Sequence, residues 1–159
     1  MKASPRAARD SARTQRLRLW IRLLRATRAI ESDIRDKLRR SFATTLPQFD
    51  VMAALARKPD GMTMTELSRR LMVSNGNVTG IVDRLVAEKC VVRQSPAEDR
   101  RALRVRLTPK GDARFAAMAK EHEGWVDTLL GDLDGEELDR LIHQFDALAH
   151  RLRDGEQRP

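Results

Sequence analysis

Residues 73–89 read "VSNGNVTGIVDRLVAEK", and two glycines, Gly76 and Gly80, stand four apart in a stretch otherwise patterned as helix. Each glycine inside a helix costs about 0.5–1 kcal/mol relative to alanine. Val78, Ile81, Val82 and Leu85 share one face at helical spacing, which sets that face toward a core. At 100° per residue, Gly76, Gly80, Asp83 and Ala87 fall opposite, flanked by Asn77, Thr79 and Arg84. A short-chained polar face of this kind suits insertion into a groove about 12 Å wide, with hydrogen-bonding side chains at its margins. The competing reading is that the glycines let two helices of the same chain pack closely.

The flanking segments place this helix in a chain order. Upstream, Leu17, Trp20 or Ile21, Leu24, Thr27, Ile30, Ile34 and Leu38 mark a long amphipathic helix, about Arg13 to Arg40. "TTLPQFDVMAALAR" gives a threonine cap, Pro47 in the first turn and an apolar stripe, and "KPDG" ends it near Lys58. "TMTELSRRL" opens with Thr63 and Glu66 at capping-box spacing, and Ser74 caps the glycine-bearing helix. Helix, short turn, helix is a helix-turn-helix.

Downstream, "VVRQ" and "ALRVRL" read as two strands around "SPAEDRR", with Leu103, Val105 and Leu107 facing one way. Arg100 and Arg101 then sit at a ribbon tip, where arginines suit a narrow minor groove; the plainer reading is a solvated turn. Thr108 and Pro109 start a fifth helix, and Leu138, Leu141 or Ile142, Phe145, Leu148 and Leu152 line a sixth. The expected fold is mainly α with a small β-hairpin wing.

Charge is segregated. Residues 1–40 hold 13 Lys/Arg against 4 Asp/Glu, residues 93–110 hold 6 against 2, and residues 111–159 reverse this with 6 against 12. Such a layout suggests a polyanion docking on one side. No stretch has the roughly 18 apolar residues of a membrane span, so no membrane partner is expected. The Arg-rich start lacks the apolar centre of a secretory signal; a transit peptide is a weaker alternative. A single cysteine, Cys90, and three scattered histidines exclude an internal disulfide and metal-ligand spacing, which fits a cytoplasmic location with no metal and no cofactor. Cys90 has no adjacent base and no glycine loop cradles phosphate, so an enzyme is not expected.

"TMTELSRRLMVSNGNVTGIVDRLVAEKCVVRQSPAEDRRALRVRLTPKG", with "LPQFDVMAAL" before it, resembles the MarR family of winged helix-turn-helix transcriptional regulators. The resemblance implies a homodimer joined through the first and last helices, each subunit offering a winged domain to half of a palindromic operator in double-stranded DNA. It implies a flexible basic tail at 1–12, a first dimerisation helix and connector at 13–45, and the winged helix-turn-helix DNA-binding domain at 46–108. C-terminal dimerisation helices at 109–153 and a disordered tail at 154–159 complete the division.

The expected DNA-binding residues are Ser74, Asn75, Asn77, Thr79, Arg84, Arg100 and Arg101. Asn77 suits an adenine edge, Thr79 a thymine methyl or a phosphate, and Arg84 a guanine or a phosphate. Asp99 and Arg101 match the family's Asp-x-Arg wing motif, and Asp83 matches the helix aspartate that pairs with that arginine; Asp83 and Asp99 are thus wing-positioning. Lys89-Cys90 replaces the family's usual Gly-Leu. Lys89 must then take a left-handed conformation at roughly 1 kcal/mol, or the turn differs, and Cys90 becomes a packing residue.

Many family members release DNA when a small aromatic acid binds. The candidate pocket here is Trp20, Leu24, Arg28, Phe49, Met52, Phe115, Met118, His122 and Trp125, with a shared core as the alternative role. The wording "RLWIRLL" through "HEGWV" is similar to repressors of aromatic-acid catabolism, which implies an aromatic acid or aryl-CoA thioester as effector. The alternative function is a winged-helix protein-interaction module without DNA readout.

Overall fold

The computed structural model describes residues 5–95 and 103–155, so Asp99, Arg100 and Arg101 lie outside it. Met1–His122 and Glu123–Pro159 form two compact units. The elements run α1 (Pro5–Phe42), α2 (Leu46–Ala56), β1 (Met62–Thr63), α3 (Met64–Leu71), α4 (Asn75–Ala87), β2 (Val91–Gln94), β3 (Arg104–Leu107), α5 (Pro109–Leu130) and α6 (Gly135–Gly155).

Capping chemistry sets the helix starts. Thr45 accepts from Gln48 N while Gln48 caps back, with proline in the first turn of α2. Thr63 and Glu66 do the same for α3, and Ser74 caps α4. Thr108 caps α5 by accepting from Gly111 N at 3.0 Å. The first helix begins at Pro5 rather than Arg13, so residues assigned to a flexible tail belong to α1, and α6 runs to Gly155 instead of ending at 153.

The sheet has three antiparallel strands in the order β1-β3-β2, one more than the expected hairpin. β1 is two residues long and pairs Met62 with Val105 and Thr63 with Arg104. β2 pairs with β3 from Val91–Leu107 to Gln94–Arg104. Val105 and Leu107 point into the core as their alternation implies, whereas Leu103 precedes the strand and is 45% exposed.

The core of the first unit joins Leu38, Val51, Met52, Leu55, Leu67, Val78, Val82, Leu85, Val105 and Met118, all essentially inaccessible. Cys90 is fully buried among them, the packing role expected of it. Lys89 adopts φ +59°, the left-handed turn that glycine would otherwise fill, and Thr108 donates to its carbonyl at 2.8 Å. Gly111 marks the tightest approach: a Cβ there would stand 1.9 Å from the Cys90 carbonyl oxygen.

Candidate nucleic-acid interface

α4 has a sharply divided surface. Val78, Val82 and Leu85 are wholly buried, while Asn75, Gly76, Asn77, Thr79, Gly80, Asp83 and Arg84 are exposed. Ile81, expected inward, is half-buried and sits at the margin, because 100° steps place it between the two faces. A Cβ added at Gly76 or Gly80 would meet nothing within 4 Å. Close packing inside the chain therefore does not account for either glycine, and that reading is set aside.

The polar groups on this face are partly spent. Ser74 Oγ accepts from Asn77 N at 3.4 Å, which makes Ser74 a cap first. Thr79 Oγ1 donates to Asn75 O at 2.8 Å. The side chains of Asn75 and Asn77 and the guanidinium of Arg84 remain exposed on the surface. Beside them lies a groove of about 600 Å³, whose lining includes Gly76, Gly80, Ile81 and Pro47 with Arg35 of α1 and Arg84 of α4.

Asp83 was matched to Arg101 by family resemblance; among the described residues it meets Arg93 of β2, at 2.6 Å. Arg93 escaped the sequence reading, although strand alternation puts it on the same side of β2 as buried Val91, the side facing the helices. The other sheet arginines are committed: Arg104 donates to Gly61 O at 3.1 Å and approaches Glu66, and Arg106 donates to Gln94 at 2.6 Å. Glu66 also binds Thr63 N and Lys58 Nζ. Those bonds, the one from the Thr63 backbone foremost, hold its carboxyl down at about 2.

A second polar junction anchors the end of α4. Gln48 donates to Glu88 Oε1 at 3.0 Å, Arg114 pairs with the same carboxylate and donates to Phe42 O at 3.2 Å, and Lys110 donates to Glu88 O at 2.8 Å. Four helices and the turn after α4 are thereby tied at one point. Nothing in the periodicity pointed to it.

The expected effector pocket divides. Phe49 stacks on His122 with centroids 4.8 Å apart and meets Phe115 at 5.6 Å, while Met52 and Met118 are fully buried. Burial lowers the pKa of His122, so it is neutral at neutral pH. Trp20 is 59% exposed on α1, Arg28 is exposed and Leu24 half-buried; Trp125 falls in the second unit. Exposed apolar side chains continue along α1 at Leu17, Leu19 and Ile21, and within the second unit at Leu141, Ile142, Phe145 and Leu152. Among the described residues no helix is long and apolar enough to cross a membrane.

A MarR-family profile matches residues 44–102, the span from the α2 cap to the wing. A MarR-family regulator from Silicibacter pomeroyi superposes with a TM-score of 0.77 at 29% identity, covering 94% of this chain and 99% of that one. Residues 44–102 form a MarR-family domain. The chain is 28% identical over 158 residues to the transcriptional activatory protein BadR of Rhodopseudomonas palustris, covering 90% of this chain and 85% of that protein. A mutant MarR from E. coli in complex with operator DNA shares the fold, with a TM-score of 0.74 at 22% identity over 84% of this chain and 95% of that one. The family and these relatives are transcriptional regulators, not enzymes, and the three-stranded wing and flanking helices are those of a winged helix-turn-helix regulator.

Proposed function

We propose that this chain binds a palindromic operator in double-stranded DNA as a homodimer, with α4 in the major groove. The observation that carries the reading is the bare outer face of α4, where Gly76 and Gly80 leave open space above a fully buried inner face. The operator complex of the E. coli MarR mutant supports it by its fold. The exposed apolar residues of α1 and of the second unit supply surface for a second copy, through the first and last helices. Asn75, Asn77, Thr79 and Arg84 face DNA, Ser74 sets the helix start, and Arg100 and Arg101 with Asp99 serve the wing.

The dimer acts as a repressor by occluding a promoter, and a small aromatic acid or aryl-CoA thioester releases it. In this reading the aromatic group packs against the cluster of Phe49, Phe115 and His122, whose rings already lie on one another. BadR, an activatory protein by name, favours a second reading in which the same dimer binds upstream and activates. A promoter–reporter fusion with and without the gene separates the two.

The test is a gel-shift and footprinting series on duplexes selected from genomic fragments. Half-site centres about 10 bp apart are expected, with a log–log salt slope of about −0.9 per phosphate contacted. A flat salt response would leave only a protein-interaction module; unaltered binding by Asn77→Ala combined with Arg101→Ala would put base and groove readout elsewhere on the chain. Release by one aromatic acid or thioester at micromolar concentration identifies the effector class; indifference to all of them removes it.

A further inference from the structure

We infer that Thr79 determines sequence specificity through its methyl group, by touching the C5-methyl of a thymine in the major groove. The inference rests on the DNA-binding reading above and assigns one base-edge contact within it. The hydroxyl of Thr79 donates its only proton to Asn75 O at 2.8 Å, one turn back on α4. A phosphate oxygen, and the O6 and N7 of guanine, accept hydrogen bonds and give none, so each demands a donor that Thr79 has already committed. With its proton committed, Oγ1 keeps only acceptor capacity, which suits an amino group of adenine or cytosine; Cγ2 is the apolar branch left unattached, and Thr79→Val tells the two apart. Thr79 itself is exposed, and its neighbours Gly76 and Gly80 carry no side chain that would stand between it and a groove floor. The nearest charge on the helix, Asp83, is engaged by Arg93 at 2.6 Å. An apolar, donor-free point on a groove-reading helix matches the one apolar group that the major groove displays.

The experiment uses the full chain and a duplex that it selects from a randomised library. Each thymine is replaced in turn by deoxyuridine, which deletes the C5-methyl and alters no hydrogen-bonding group. The wild-type protein is expected to lose roughly four-fold in affinity at one thymine per half-site, the worth of one buried methyl group. Thr79→Val keeps the methyl and discards the hydroxyl, so it retains that penalty; Thr79→Ser keeps the hydroxyl and discards the methyl, so it abolishes it. Replacing cytosine by 5-methylcytosine at the sensitive position of a T-to-C duplex restores affinity if the methyl alone is read. The inference is overturned if no thymine is sensitive, or if Ser behaves as wild type while Val loses binding, because the hydroxyl is then the reader. Failure to select any duplex overturns the DNA reading itself, an outcome distinct from the others. Circular dichroism and thermal melting check that both variants fold, as expected for an exposed position.

Discussion

Asp83 of the helix α4 and Arg93 of the strand β2 are joined by a 2.6 Å ion pair with both side chains partly in solvent. Exposed pairs of this kind stabilise a fold by about 0–1 kcal/mol. On the DNA-binding reading proposed above, their geometric effect is larger, since the bond braces α4 against β2. Asp83→Ala and Arg93→Ala are expected to change the urea midpoint little and to weaken operator binding about ten-fold each, a readout of lost positioning. The double variant should be no worse than either single one; additive losses in a double-mutant cycle would show that the residues act separately.

Gly76 and Gly80 offer a rarer combination. Alanine at either site meets no atom within 4 Å, so Gly80→Ala should raise stability by about 0.5–1 kcal/mol through helix propensity alone. On the proposed reading the same methyl group thickens the face that enters the groove, and DNA affinity should fall. Thermal melting and a binding titration on one protein sample decide it: tighter binding by the alanine variants would count against α4 as the groove element.

Gly111 predicts the reverse pattern. Its substitution by alanine drives Cβ against the Cys90 carbonyl, which also accepts from Thr108 N at 3.0 Å. A loss of about 2–4 kcal/mol is expected in urea denaturation, from backbone displacement where β2 meets α5.

Lys89 holds φ +59° without being glycine. Lys89→Gly should therefore gain about 1 kcal/mol, less the added entropy of the unfolded chain, with the operator affinity unchanged.

Asp50 supplies a pH signature. Burial, and then repulsion from Glu31, lift its carboxyl from 3.8 to about 6. The folded state thus holds this proton more tightly than the unfolded chain does. Its contribution is complete below pH 4 and is lost as pH rises through 6. Relative to wild type, Asp50→Asn should gain stability between pH 4 and 7, measured as the difference in urea midpoint. Glu66 acts with the opposite sign: held at about 2, its support is present above pH 4.5 and lost as pH falls through 2.

The helices were legible because their signals are local. Thr45, Thr63 and Ser74 each cap the element their spacing announces, and the valines and leucine of α4 bury as their period requires. β1 was not legible: two residues carry no alternation, and Met62 becomes a strand only by pairing with Val105, far along the chain. The partner Arg93 was hidden for the same reason, as the approach of β2 to α4 is tertiary. The Glu88 junction, with Arg114 and Gln48, likewise draws on four elements at once. The bare outer face of α4 was legible, since a face without packing duties leaves its mark as an absence of large side chains.

That absence has an evolutionary corollary. Val78, Val82 and Leu85 hold α4 entirely from behind, and Glu88 pins its end. The outer positions are therefore free to vary without unfolding the protein, so a descendant of this chain can acquire a new target by a handful of exchanges there while its scaffold is inherited intact.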